Sequence, residues 1–86
     1  MGKVAITYRI MPEGIEVDLA GLAAAVKNTL GPKLVKMEEK PVAFGLKAIM
    51  ATVIIDDRSG EGEAVEASLG SLPGVGSVET QEMGLV

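Results

Sequence analysis

The sequence predicts an α+β fold, a ferredoxin-like α/β plait in which a four-stranded antiparallel sheet carries two helices on one face. Three observations predict it. Strand-type and helix-type hydrophobic periods follow one another in the order strand, helix, strand, strand, helix, strand. The two halves share a pattern: each has a strand, then a helix ending in Leu before a Gly/Pro pair (Leu30-Gly31-Pro32 and Leu72-Pro73-Gly74), then another strand. The chain has 86 residues, enough for one core, because domains typically need roughly 50–200 residues. Residues 1–86 therefore read as a single domain, and right-handed crossovers place both helices on the same side of the sheet.

The elements follow in order. Val4, Ile6, Tyr8 and Ile10 alternate with Ala5, Thr7, Arg9 and Met11, the period of two of a strand with one strongly apolar face, β1. Pro12-Glu13-Gly14 is expected to end it, since proline cannot continue the ladder and glycine permits the turn. Leu19, Leu22, Ala23, Val26 and Leu30 keep helical spacing, with Asp18 as N-cap or first-turn acid and Gly31-Pro32 as the stop. They predict α1 over residues 18–30. Gly21 within it costs about 1 kcal/mol relative to Ala, so either the sheet approaches closely there or the helix tolerates it.

Leu34, Val35 and Met37, interleaved with Lys33, Lys36 and Glu38, predict β2. It is less apolar than β1 and so belongs at an edge. Pro41 to Gly45 interrupts it, and residues 46–56, rich in Ile and Val, predict β3, closed by Asp56-Asp57-Arg58-Ser59-Gly60. Ala64, Val65, Ser68, Leu69 and Leu72 return to the helical period as α2, with Glu61 and Glu63 near the positive end of its dipole and Pro73-Gly74 as terminator. Residues 75–83 alternate weakly and predict β4, followed by a tail of Gly84-Leu85-Val86. With the helices on one face, Thr7, Arg9 and the alternate strand residues face solvent or a partner.

Composition narrows the chemistry sharply. There is no Cys and no His, which removes disulfides, thiolate nucleophiles, imidazole bases and zinc sites built from those ligands. No metal site and no cofactor is expected. The longest apolar stretch, Ala48 to Ile55, is interrupted by Thr52 and falls far short of the roughly 20 residues that cross a bilayer. The start carries neither a myristoylation pattern nor a secretory apolar run. A chain stabilised by core packing alone is expected to be soluble, unprocessed and cytoplasmic. Net charge is −4 but uneven: residues 1–55 hold seven Lys/Arg against five Asp/Glu, and residues 56–86 hold one Arg against seven acids. An acidic balance and only two aromatic residues, Tyr8 and Phe44, argue against direct nucleic-acid binding, which wants a basic stripe and stacking rings.

The remaining motifs are mostly structural. Tyr8 lies on β1 without a ring on β3 to match it, and reads as a core or half-buried residue rather than an RNA-stacking one. Gly60-Glu61-Gly62 and Gly74-Val75-Gly76 do not extend to a dinucleotide fingerprint, no phosphate-loop motif exists, and the glycines read as turn residues. Glu38-Glu39 fall on opposite faces of a strand and Asp56-Asp57 suit a turn, so neither pair reads as a catalytic dyad. One stretch stands apart, Lys40-Pro41-Val42-Ala43-Phe44-Gly45-Leu46-Lys47. It puts the chain's one Phe in a Pro/Gly-bounded connection between strands, where the ring either folds back onto the core or projects as an anchor.

Pro41-Val42-Ala43-Phe44-Gly45-Leu46-Lys47 resembles the Pro-[Val/Ile]-[Gly/Ala]-[Phe/Tyr]-Gly-[Ile/Leu]-Lys segment of the guanine-nucleotide exchange domain of translation elongation factor 1 beta. Chain length, element order, the acidic end of β3 (Val53-Ile54-Ile55-Asp56-Asp57) and the opening Val4 to Pro12-Glu13 with Val17-Asp18-Leu19 are similar as well. The resemblance covers essentially the whole chain and points to the archaeal form, which consists of this domain alone. It implies exchange on elongation factor 1 alpha, a GTPase, with GDP released so that GTP and then aminoacyl-tRNA can bind. It also implies that Phe44 packs against the GTPase, that Pro41 and Gly45 shape the loop, and that Lys47 makes a polar contact. No bond is made or broken in such a reaction, so the chain is expected not to be an enzyme in the covalent sense. Eukaryotic members carry a lysine next to the C-terminus that reaches the magnesium region of the GTPase, whereas this sequence ends Glu82-Met83-Gly84-Leu85-Val86. Either a lysine elsewhere, such as Lys47, supplies charge, or exchange rests on wedging alone. The alternative from another class is a small regulatory plait that dimerises and binds an amino acid or related metabolite at the β1–α1 turn, with Gly14 giving backbone access.

Overall fold

A computed structural model describes residues 2–42, 45–56 and 61–85. Its elements are β1 (Lys3–Pro12), α1 (Leu19–Leu30), a 3-10 turn (Gly31–Lys33), β2 (Leu34–Pro41), β3 (Lys47–Asp56), α2 (Glu61–Gly70) and β4 (Val75–Leu85). The strands form one sheet in the order β2-β3-β1-β4, every neighbouring pair antiparallel. This is the predicted plait, with β2 at an edge as expected and β4 at the other.

The core lies between the sheet and the helices. Register pairs Val4 with Ile55, Ile6 with Val53, Tyr8 with Ala51 and Ile10 with Ile49, so the apolar rows of β1 and β3 share a face. Leu22, Val26 and Leu30 of α1 and Val65 and Leu69 of α2 close over them. Tyr8, only 1% exposed, is set opposite the small Ala51. Its hydroxyl donates to the Gly62 carbonyl at 3.0 Å, which satisfies the buried phenol and ties the start of α2 to the sheet. Burial, and secondarily the Glu66 carboxylate, push the Tyr8 phenol above its ordinary range.

The opposite sheet face is open and polar, as predicted. Thr7 and Thr52, paired across β1 and β3, share a hydroxyl hydrogen bond at 2.8 Å, and Arg9 pairs with Glu79 of β4. The two edges differ in charge: β2 balances Lys36 and Lys40 against Glu38 and Glu39, whereas β4 carries Glu79 and Glu82.

β1 ends at Pro12 as expected; Pro12 is buried and paired with Val75 where the ladder shifts register, a site at which a missing N–H is tolerated. Other local expectations are corrected. β4 continues through Gly84 and Leu85, which pair with Ala5 and Val4 instead of forming a tail. Gly62 lies in the first turn of α2 and Gly76 in β4, so neither is a turn glycine, whereas Gly74 is one, at φ 91°. Asp18 occupies the N-cap position of α1 without a side-chain cap bond. Gly21 is exposed, with only the Asp18 side chain near the place of its missing Cβ, so the helix tolerates it and no sheet approaches. The expected close of β3 at residues 57–60, and Val86, lie outside the described residues.

Candidate functional site

Antiparallel pairing brings three connections to one end of the sheet: the β1–α1 loop, the β2–β3 hairpin loop and the α2–β4 turn. The hairpin loop is the predicted site. Pro41, the last residue of β2, faces Lys47, the first of β3, and just beyond them the Val42 amide donates to the Leu46 carbonyl at 2.9 Å. On an edge strand Pro41 removes no essential ladder bond. Gly45 has φ 79°, in the left-handed region that favours glycine, so it sets the reversal of the chain. Pro41, Val42, Gly45 and Lys47 are all exposed, and Lys47 makes no ion pair among the described residues. Phe44, the residue on which the expectation turned, lies outside the described residues, as does Ala43.

The β1–α1 loop, where the alternative reading placed a metabolite site, flanks this hairpin, and sequence reasoning missed its Ile15. Ile15 is 72% exposed, and its Cγ2 lies 3.9 Å from where a Cβ on Gly45 would stand. Between the two loops runs a shallow groove of about 320 Å³, lined by Gly14, Ile15, Leu19, Glu39, Leu46 and Lys47 among others. The one sequence cue was a large aliphatic residue inside a turn-forming stretch, Pro12-Glu13-Gly14-Ile15-Glu16. On its other side the β1–α1 loop is braced by the α2–β4 turn. The Glu13 amide donates to the Gly74 carbonyl at 2.9 Å, and a Cβ on Gly74 would stand 3.1 Å from Val17 Cγ1. At Gly14, where a metabolite-binding plait would need access to the backbone, the Glu16 carboxylate oxygens sit 2.6 Å from the place of a Cβ. The end of the sheet thus presents aliphatic carbon, an exposed loop shaped by Pro41 and Gly45, and the opposite charges of Glu39 and Lys47.

The sequence profile of the EF-1 guanine nucleotide exchange domain matches residues 5–86. The chain belongs to that family. Among its relatives are elongation factor 1-beta of Methanocella arvoryzae, 45% identical over 98% of this chain and 97% of that one, and of Methanococcoides burtonii, 43% identical over the same shares. Elongation factor 1-beta of Natronomonas pharaonis is 41% identical over the full length of both chains. A solved structure, the C-terminal domain of the MgtC protein from Mycobacterium tuberculosis, is similar with a TM-score of 0.57 at 14% identity, covering 99% of this chain and 88% of that one. At that identity the likeness concerns the fold alone. The exchange-domain match contains the whole Pro41–Lys47 segment, the β1–α1 loop beside it, β2, β3 and β4, and β1 from Ala5 onward.

Proposed function

We propose that this exchange domain promotes GDP release from elongation factor 1 alpha so that GTP can bind, in support of aminoacyl-tRNA delivery. The observation that carries the reading is the family match over residues 5–86. The hairpin supports it, since Pro41, Val42, Gly45 and Lys47 are exposed at the end of the sheet, where a partner's surface can meet them.

Exchange of this kind needs no nucleophile and no proton donor, which suits a chain without Cys or His. It needs only a difference in binding. If the domain holds the nucleotide-free GTPase more tightly than the GDP-bound one, GDP is held more weakly by the same factor when the domain is bound. A thousandfold difference corresponds to about 4 kcal/mol of coupling. Phe44 is assigned as the anchor of the contact, Pro41 and Gly45 as the residues that shape its loop, and Lys47 as a polar contact beside it. Lys47 is a cation three residues beyond the anchor in the sequence.

The test is release of fluorescent GDP preloaded on elongation factor 1 alpha. The domain at micromolar concentration accelerates release, and Phe44→Ala lowers the gain by about 1–3 kcal/mol, the range of a central anchor residue. A wild-type domain that leaves the release rate unchanged would reject the reading.

A further inference from the structure

Two of the exposed large apolar residues, Ile15 and Val42, stand at the hairpin end of the sheet. Ile15 is held there by its turn. The Val17 amide donates to the Gly14 carbonyl at 3.3 Å, which makes Ile15 and Glu16 the two corner residues. Both shoulders of the turn are fixed: the Glu13 amide donates to the Gly74 carbonyl at 2.9 Å, and Val17 and Leu19 pack against the core. A β-branched apolar side chain adds nothing to such a turn, whose corners favour glycine, proline, asparagine or aspartate. The core does not receive it either, since Ile15 is 72% exposed. Its surroundings set it apart from a scattered surface aliphatic. Ile15 Cγ2 lies 3.9 Å from the place of a Cβ on Gly45, and Leu19 and Leu46 continue the apolar surface along the groove between the two loops. Glu39 and Lys47 supply charge at its border. An apolar centre inside a charged border is the make-up of a protein contact.

We propose that Ile15 is a second anchor for elongation factor 1 alpha, and that the groove beside it takes an apolar side chain of that GTPase. The contact rests on the exchange reading and adds to it a residue from a different loop. Continuity selects this occupant. Gly45 and Lys47 line the same groove as Ile15, so a protein surface that covers the hairpin also covers the corner of the β1–α1 turn. A metabolite fits less well, because the groove is shallow and the Glu16 carboxylate oxygens stand 2.6 Å from the place of a Cβ on Gly14, over the backbone such a ligand would need. The turn is fixed before binding, so Ile15 adds buried apolar area at little cost in ordering. The contact is one of carbon with carbon, and its contribution is insensitive to salt, unlike that of Lys47.

The experiment has two readouts. In the first, release of fluorescent GDP from elongation factor 1 alpha is followed against the concentration of the wild-type domain, Ile15→Ala and Ile15→Asp. Ile15→Ala is expected to raise the half-saturating concentration roughly tenfold, and Ile15→Asp further, to the same degree at low and at high salt. Urea midpoints of both variants stay at the wild-type value, because the side chain is exposed. In the second, nucleotide-free elongation factor 1 alpha is added to the full chain labelled at its isoleucine δ1 methyls. The Ile15 methyl shifts saturably, while those of the fully buried Ile10 and Ile49 stay in place. If the wild-type domain speeds release and the Ile15 variants match its half-saturation, or if the Ile15 methyl does not respond, this contact is overturned and the exchange reading stands. A lowered urea midpoint in Ile15→Ala would overturn it by assigning Ile15 to the fold. Self-association of the domain alone that Ile15→Asp abolishes would overturn it by assigning the groove to a second copy. A wild-type domain without effect on release overturns both readings.

Discussion

Gly45, Gly62 and Gly76 would respond to a side chain in three different ways, and the difference is measurable. Gly45 needs its positive φ; Gly45→Ala is expected to cost about 1–2 kcal/mol, the strain of an L-residue there. At Gly62 a Cβ would meet Ile6 Cδ1 at 3.5 Å and Ile55 Cδ1 at 3.6 Å, ordinary contacts with side-chain ends. Gly62→Ala should therefore stabilise α2 by up to about 1 kcal/mol through helix propensity. At Gly76 a Cβ would meet the Pro12 carbonyl oxygen at 3.0 Å and Glu13 Cα at 3.2 Å, both backbone atoms that cannot swing aside. Gly76→Ala should destabilise by about 1–3 kcal/mol. Urea midpoints of the three variants test this order, and a stabilised Gly76→Ala would contradict it. Tyr8, legible in the sequence as a buried residue of β1, gives a second residue-scale test. Its phenol is raised in the folded state by burial and then by Glu66, so the unfolded chain loses its proton first. The stability it contributes is present below the ordinary tyrosine pKa near 10 and is lost as pH rises through the higher folded value. As the chain's one tyrosine, in the absence of Trp, it reports directly: phenolate absorbance should appear together with unfolding, and Tyr8→Phe should cost about 1 kcal/mol at neutral pH while blunting the alkaline loss.

Among the elements, legibility followed the regularity of the side-chain period. β1 and α1 were readable because Val4, Ile6, Tyr8 and Ile10, then Leu22, Val26 and Leu30, keep one phase from end to end. β4 was read short because its phase changes twice, at the register shifts between Met11 and Pro12 and between Thr7 and Tyr8 on its partner. Val78 and Thr80 face the helices in one phase, Met83 and Leu85 in the other, so a strict alternation fails although the strand continues. The Pro41–Lys47 loop was legible because proline and glycine punctuate it. Ile15 was not, because an exposed aliphatic residue in a turn has no period to betray it. Differences in pairing should appear in amide exchange: β1 and β3, paired on both sides, exchange slowest, and β4 beyond its second register shift exchanges fastest among the strands. Equal protection of β4 from residue 75 to 85 would contradict that picture.

For the whole molecule, the order β2-β3-β1-β4 turns an uneven sequence into an uneven surface. Lys36 and Lys40 on the β2 edge are balanced by Glu38 and Glu39, with Lys47 at the neighbouring hairpin, whereas Glu63, Glu66, Glu79 and Glu82 lie toward the β4 edge. A domain that acts by binding uses such a field mainly to steer encounter. Lys47→Glu should therefore slow association with the GTPase severalfold at low salt and much less at high salt, as stopped-flow mixing would show. The central claim concerns which form of that GTPase is gripped. The most direct measurement is the Kd of the domain for nucleotide-free elongation factor 1 alpha set beside its Kd for the GDP-bound form. Exchange by binding requires the empty form to be held more tightly by about a hundredfold or more, a coupling of about 2.7 kcal/mol. Equal affinities for the two forms would contradict it, because a ligand that does not discriminate shifts nothing.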